Sequence, residues 1–220
     1  MSEDRWKEED DIQEIYRTYG PWLHRFELLD RLVFGRARRH HFAAVRGRVL
    51  DVACGTGTNF PYLDPSIELV GIDLSETMLD RASRRLARLK HDGTLIQMDS
   101  GNLGFSDDTF DVVISALSTC TFPDPVGAVE EMARVCSDDG RILLLEHGKS
   151  DIAPLARFQD RFDETHYERM GCRWTHHPVE HVTAAGLEPL SVQYGPFGII
   201  TRIETSPSGS ATRHAKRVGQ

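Results

Sequence analysis

Two hydrophobic periods divide the chain. From residue 48 onward, short apolar runs at 48–53, 68–72, 94–98, 110–115 and 141–146 alternate with stretches of helical spacing at 75–90 and 124–137. Strands that alternate with helices imply right-handed crossovers and a largely parallel sheet. The runs VVISAL and ILLLE are apolar on both faces, as central parallel strands covered by helices must be. Further on, 153–171 reads as a helix and 177–186 as a shorter one ending at Gly186. LEPLSVQY and GIITRIET, around Gly195-Pro196, read as two strands joined by a turn, an antiparallel hairpin closing the sheet. The predicted class is α/β: a doubly wound, mostly parallel sheet with a C-terminal hairpin.

The flanks follow other patterns. Residues 1–44 read as polar and helical, with Tyr19-Gly20-Pro21 separating two pieces. In the second piece Trp22, Phe26, Leu29, Leu32 and Val33 recur at helical spacing, so that face is expected to pack on something. After it come Arg36, Arg38, Arg39, His40 and His41. Either this run is a solvated helix end, or it meets an anionic lipid or phosphate. Residues 206–220 are small, polar and basic, and are expected to be disordered. The division is therefore 1–44, 45–205 and 206–220.

Composition narrows the class. With 220 residues and 40% hydrophobic content, the chain can bury one substantial core. A formal net charge of −8 argues against general nucleic-acid binding. The arginines 81, 84, 85 and 88 on the helix at 75–90 are expected to form a solvated face. No apolar run approaches the roughly 20 residues of a membrane-spanning helix. The polar, acidic N-terminus is neither a signal nor a transit peptide, so a cytoplasmic location is expected. Cys54, Cys120, Cys136 and Cys172 show no C-x-x-C spacing. They are expected to be reduced, mostly buried thiols, and no metal site is expected.

The segment VLDVACGTGTNF carries the candidate chemistry. Open α/β sheets bind ligands beyond the carboxyl ends of their strands, and Gly55 and Gly57 follow the first strand at that place. Glycine accepts positive φ and lets a ligand touch the backbone. A helix expected to begin near Thr58 would aim free N–H groups at the same spot. Asp51 lies inside the first strand, Asp73 ends the second and Asp99 ends the third. A dinucleotide site would want G-x-G-x-x-G, whereas Phe60 holds the third glycine position. A ligand with a cationic amino-acid end, a ribose and an adenine accounts for all three acids. S-adenosylmethionine is such a ligand.

VLDVACGTG, GIDLSETML and MDSGNLGFSDDTFDVVIS together resemble the class I S-adenosylmethionine-dependent methyltransferases, in detail over 48–147. The resemblance implies the Rossmann-like, seven-stranded fold of that family. It implies that Asp51 reaches the methionine ammonium by way of water, and that Asp73 takes both ribose hydroxyls. Asp99, with Ser100 beside it, would accept from the adenine amino group. A carboxylate, as a pure acceptor, suits each of these roles. Met78 would either pack on the adenine or belong to the core. Ala53, Cys54, Thr56, Leu74 and Ser115 complete the implied cofactor shell with the two glycines, and Tyr16 closes over it. Two departures are visible. Ala53 stands where many members carry glycine, and the turn before the fifth strand is Ser137-Asp138-Asp139-Gly140.

The acceptor is read from local details. SALSTCTF after the fourth strand lacks an Asn/Asp-Pro-Pro-Tyr/Phe sequence, which disfavours amino methylation of adenine or of a glutamine amide. Cys120 lacks a Pro-Cys pair, which disfavours attack on a cytosine ring; it is a pocket liner or a core thiol. Tyr16-Arg-Thr-Tyr-Gly-Pro-Trp resembles the entry of quinone C-methyltransferases. Residues 141–147 with 171–205 resemble phospholipid N-methyltransferases and alkyl-thiol methyltransferases. The implied acceptor is a small apolar or lipid-like molecule: a quinol ring, an amino-phospholipid or a thiol. His147 either contacts it as a base or makes a structural hydrogen bond. His166, His176, His177, Asp163 and Glu164 are weaker candidates. Residues 12–40 are expected to fold over the strand ends as a lid, with Tyr16, Trp22 and Phe26 inside. Peripheral membrane contact through the basic run is a further expectation. The alternatives are a methyltransferase acting on protein or RNA, and a non-catalytic cofactor-binding module.

Overall fold

The computed structural model describes residues 7–23 and 27–209. Seven strands form one sheet in the order β3-β2-β1-β4-β5-β7-β6. They are β1 (Arg48–Val52), β2 (Glu68–Asp73), β3 (Thr94–Gln97), β4 (Phe110–Ala116), β5 (Cys136–His147), β6 (Pro189–Tyr194) and β7 (Ile200–Thr205). β1 to β5 pair in parallel, while β7 runs antiparallel to both β5 and β6. The order reverses between β1 and β4, which opens a crevice at their carboxyl ends.

Helices cover both faces because the strand residues alternate between two apolar layers. Leu50, Val52, Val70, Ile72, Val113 and Leu144 pack with α4 (Pro125–Val135) and α6 (Pro178–Ala184). Val49, Leu69, Ile114 and Leu145 pack with Phe42 of α2 (Glu27–Phe42) and with Leu79, Ala82 and Leu86 of α3 (Glu76–Leu89). In α3 the buried residues sit one turn apart, so its arginines fall on the outer side. Arg85 nevertheless reaches back, its Nε donating to the Thr56 carbonyl at 2.8 Å. α4 begins where Asp124 accepts from the Gly127 N–H and Pro125 occupies the first turn. No helix of the described residues is long and apolar enough to cross a membrane.

Several expectations are corrected. α1 (Glu9–Leu23) runs through Gly20-Pro21. Proline forfeits one hydrogen bond but has a helical φ, and the helix ends two residues later. No α-helix begins at Thr58. The chain turns and forms a short 3-10 helix at Phe60–Tyr62, because Pro61 has no N–H to donate and the Tyr62 and Leu63 amides bond three residues back. Residues 137–140 are not a turn preceding the fifth strand. They bulge within β5, where the register jumps from Phe110↔Cys136 to Val112↔Arg141.

Among the described residues, the apolar stripe of α2 is largely uncovered: Leu29, Leu32 and Val33 are 56%, 74% and 48% exposed. The inward face instead carries Asp30, Gly35, Arg38 and Phe42. Arg38, expected in a solvated basic run, is 1% exposed. His41 also turns inward, its Nε2 lying 3.1 Å from the Leu144 carbonyl and 3.3 Å from that of Ile203. Burial pushes its pKa down to about 4. The basic run is thus split between the interior and the surface. Trp22 and Tyr16 have side chains outside the described residues, as do Phe26 and the tail from residue 210.

Candidate functional site

A cavity of about 350 Å³ opens at the carboxyl ends of β1, β2 and β4. Its wall begins with Ala53, Cys54, Gly55 and Thr56, the segment following β1. Asp73, Leu74, Ser75 and Met78 come from the β2–α3 junction, and Met98, Asp99 and Ser100 from the end of β3. The far side is Ala116, Leu117, Ser118, Thr121, Phe122 and Pro123 after β4. Ile12 and Gln13 of α1 and Arg38 of α2 also line it.

Asp73 anchors this geometry. Its Oδ2 accepts from the Gly55 N–H at 2.8 Å and its Oδ1 from the Ser75 N–H at 2.9 Å. Burial raises its pKa to about 6. Gly55 has φ +56, and a Cβ there would meet nothing within 4 Å. The missing side chain therefore leaves bare backbone against open space. Asp99 sits at the rim, its Oδ1 accepting from the Gly101 N–H at 2.9 Å.

Gly57 needs its hydrogen for another reason. It does not line the cavity, and a Cβ there would lie 2.4 Å from the Phe60 ring. Its φ of +74 and the Phe60 ring both favour glycine here. Ala53 has φ +53, a conformation that strains an L-residue by roughly 1–2 kcal/mol. Ala53→Gly is expected to stabilise the protein by about 0.5–1 kcal/mol, less than the strain because glycine adds chain entropy to the unfolded state. Urea denaturation checks this, and an unchanged or lower midpoint counts against it.

Asp51 is fully buried and does not reach the cavity wall. Its two oxygens accept from Asn59 Nδ2 at 3.0 and 3.1 Å. Asn59 in turn accepts from Arg38 Nε at 2.9 Å, and Arg38 Nη1 pairs with Asp30 at 2.6 Å. Arg38 and Asn59 do line the cavity, so Asp51 meets it through them. Burial raises the Asp51 pKa to about 7 against the opposing effects of Asn59 and Arg38. Ser115 is likewise set back from the wall, its Oγ donating to the Val52 carbonyl at 2.9 Å and pairing with Ser118 Oγ.

His147 does not face the cavity as expected of a base. The segment after α5 (Ala153–Met170) folds over the end of β5, and His147 Nε2 lies 3.2 Å from Cys172 Sγ. Burial opposes a charge on its ring, and the neighbouring Cys172 outweighs that, so its pKa is raised. Asp163 and Glu164 do not line the cavity either; both pair with Arg173 at 3.3 Å. His166 stacks on Trp174, while His176 packs edge-on against His147.

Glu146 is a residue that the sequence reading does not single out. It is fully buried and accepts from the Ser118 N–H at 3.1 Å, which holds the loop after β4 in place. Burial lifts its pKa to about 7. A carboxylate closing the apolar run ILLLE is the available signal, by the same cost argument that singles out Asp51.

A family model described as a methyltransferase domain matches residues 50–144. A phosphatidylethanolamine N-methyltransferase of Cereibacter sphaeroides is 37% identical over 130 residues, covering 57% of this chain and 64% of that protein. A ubiquinone/menaquinone biosynthesis C-methyltransferase of Syntrophotalea carbinolica is 35% identical over 147 residues, covering 62% and 61%. The chain thus spans less than two thirds of the length of each of these relatives. A crystal structure of a SAM-dependent methyltransferase from Thermotoga maritima superposes with a TM-score of 0.69 at 18% identity, covering 89% of this chain and 99% of that one.

Proposed function

We propose that the cavity binds S-adenosylmethionine and that the chain is a class I methyltransferase acting on a small apolar or lipid-like acceptor, a reading supported by the methyltransferase-domain match over residues 50–144. One observation carries the reading: the Asp73 carboxylate is tied to the Gly55 N–H, and beside it the glycine leaves open space. A diol acceptor and a bare backbone stand together where a nucleoside with an amino-acid tail needs both.

The residues divide the work by chemistry. Asp73 keeps unused lone pairs on both oxygens and accepts from the two ribose hydroxyls. Asp99 and Ser100 receive the adenine edge, and Met78 lies against its face. Ala53, Cys54 and Thr56 run alongside the amino-acid portion. Arg38 and Asn59 are close to that end, with Asp51 behind them balancing the Arg38 charge. The bound cofactor supplies an activated methyl group on a sulfonium. Transfer then depends on alignment and water exclusion, and a base is needed only for an acceptor that holds a proton.

The far wall, with Leu117, Phe122 and Pro123, gives an apolar acceptor its surface. Ile12 and Gln13 of α1 line the cavity, which supports reading the N-terminal segment as a lid over the strand ends. Relatives named for phosphatidylethanolamine and for ubiquinone or menaquinone favour a lipid-like acceptor.

The test is transfer of label from S-adenosylmethionine to quinols, amino-phospholipids and alkyl thiols, run beside a calorimetric titration of the cofactor. Binding with transfer to one of these classes is expected. Absence of binding overturns the cofactor assignment. Binding with label entering only protein or RNA overturns the acceptor class.

A further inference from the structure

We propose that Cys120, His147 and Cys172 form a binding site for a thiophilic divalent cation of the zinc type. Three distant segments bring them together: the loop after β4, the last residue of β5 and the loop after α5. Cys172 Sγ lies 3.2 Å from Cys120 Sγ and 3.2 Å from His147 Nε2. The three donor atoms all fall within 4.8 Å of one another.

The donor set selects the ion. Two sulfurs and an imidazole nitrogen are soft and borderline ligands, which suit zinc and exclude magnesium or calcium as the natural occupant. Zinc sits about 2.3 Å from sulfur and about 2.0–2.1 Å from nitrogen. A tetrahedral ion at those lengths needs its sulfurs about 3.8 Å apart, so Cys120 and Cys172 would separate by roughly 0.6 Å. Binding replaces the thiol protons, which leave to solvent.

The frame around the three donors is already built. The Arg173 N–H donates to the Cys120 carbonyl at 3.1 Å, which bridges two of the ligand loops. Asp163 accepts from the Trp174 and Thr175 N–H groups at 2.5 and 3.1 Å, which fixes the backbone just after Cys172.

This site is separate from the cofactor cavity. Its consequence reaches that cavity through the loop after β4, whose Leu117, Ser118 and Phe122 form part of the wall. A cation here would pin the loop to β5 and to the segment after α5, fixing the acceptor side of the pocket. The inference does not rest on methyl transfer and stands or falls without it.

The experiment uses the full chain, reduced and stripped with a chelator, then titrated with Co²⁺ and back-titrated with Zn²⁺. A thiolate-to-cobalt charge-transfer band saturating at one ion per chain, and displaced by zinc, is expected. Cys120→Ser and Cys172→Ser should each weaken zinc binding at least about 100-fold, while Cys136→Ser leaves it unchanged. Zinc should also raise the melting temperature of the wild-type chain, a readout that does not depend on a folded variant. No band and no zinc-dependent melting shift in the reduced protein would overturn the proposal. So would a band that survives in the Cys120→Ser/Cys172→Ser double variant. Oxidation of the same two thiols to a disulfide, without metal uptake when reduced, would also overturn it.

Discussion

Asp73→Ala is expected to weaken S-adenosylmethionine binding at least tenfold while circular dichroism stays near that of the wild type. In the proposed binding mode the substitution removes two charge-assisted hydrogen bonds to the ribose, about 1.5–3 kcal/mol each, and water recovers part of that loss. It also frees the Gly55 N–H that Asp73 now holds at 2.8 Å. Asp73→Asn separates the two effects, since the amide keeps an acceptor for one backbone N–H but loses the charge. The pH dependence has a defined sign. Burial lifts the carboxyl from 3.8 to about 6, so in the free protein the binding-competent anion is lost as pH falls through 6. Affinity should decline there. Stability without ligand runs the other way for this group: its contribution is full below pH 3.8 and diminishes as pH rises to about 6. Calorimetric titration on both sides of pH 6 measures the affinity. A dissociation constant unaffected by Asp73→Ala would remove the ribose role.

Arg38→Met is expected to have the largest effect on stability, about 3–5 kcal/mol of destabilisation. The guanidinium is buried and bonds both Asn59 and Asp30. Methionine fills much of the space but leaves Asn59 Oδ1 buried without its donor, and Asp30 without its cation. It also removes a positive charge near Asp51, whose pKa should rise further above 7. For a chain of this size the melting temperature should drop on the order of 10 °C. Arg38→Lys should fall between, because an ammonium keeps the charge but not the fork that spans two partners. Thermal melts decide it. A melting temperature within a degree or two of wild type would mean that this network is not structural.

What is legible in the sequence follows from what each residue can reveal alone. The strands are readable because alternation and doubly apolar runs permit few other folds. The crevice at the strand ends is readable because Asp51, Asp73 and Gly55 violate the surrounding pattern. Arg38 is not, since an arginine among four other basic residues looks solvated until Asp30 and Asn59 are seen to meet it. Gly57 also carries constraints that the glycine pair does not reveal: a positive φ and the Phe60 ring three residues on. Cys120, His147 and Cys172 lie in three segments with no metal-like spacing, and only the sheet topology assembles them. The break expected at Gly20-Pro21 and the helix expected at Thr58 both turn on prolines, whose effect depends on their place within a turn.

The position of β7 also sets the order in which the molecule can assemble. It lies between β5 and β6, so the last described strand of the chain is an interior strand of the sheet. During synthesis, β1 to β5 can pair while Ile142–Leu145 still presents an open, strongly apolar border along β5. Only when residues 200–205 leave the ribosome can that border be covered, and β6, made earlier, must wait for β7 before it has a partner. Late, non-local strand insertion is slow, and an uncovered border invites pairing between nascent chains. The short turn between β6 and β7 therefore acts on kinetics as well as on shape, because it delivers both strands together, as a preformed ribbon, to the waiting edge.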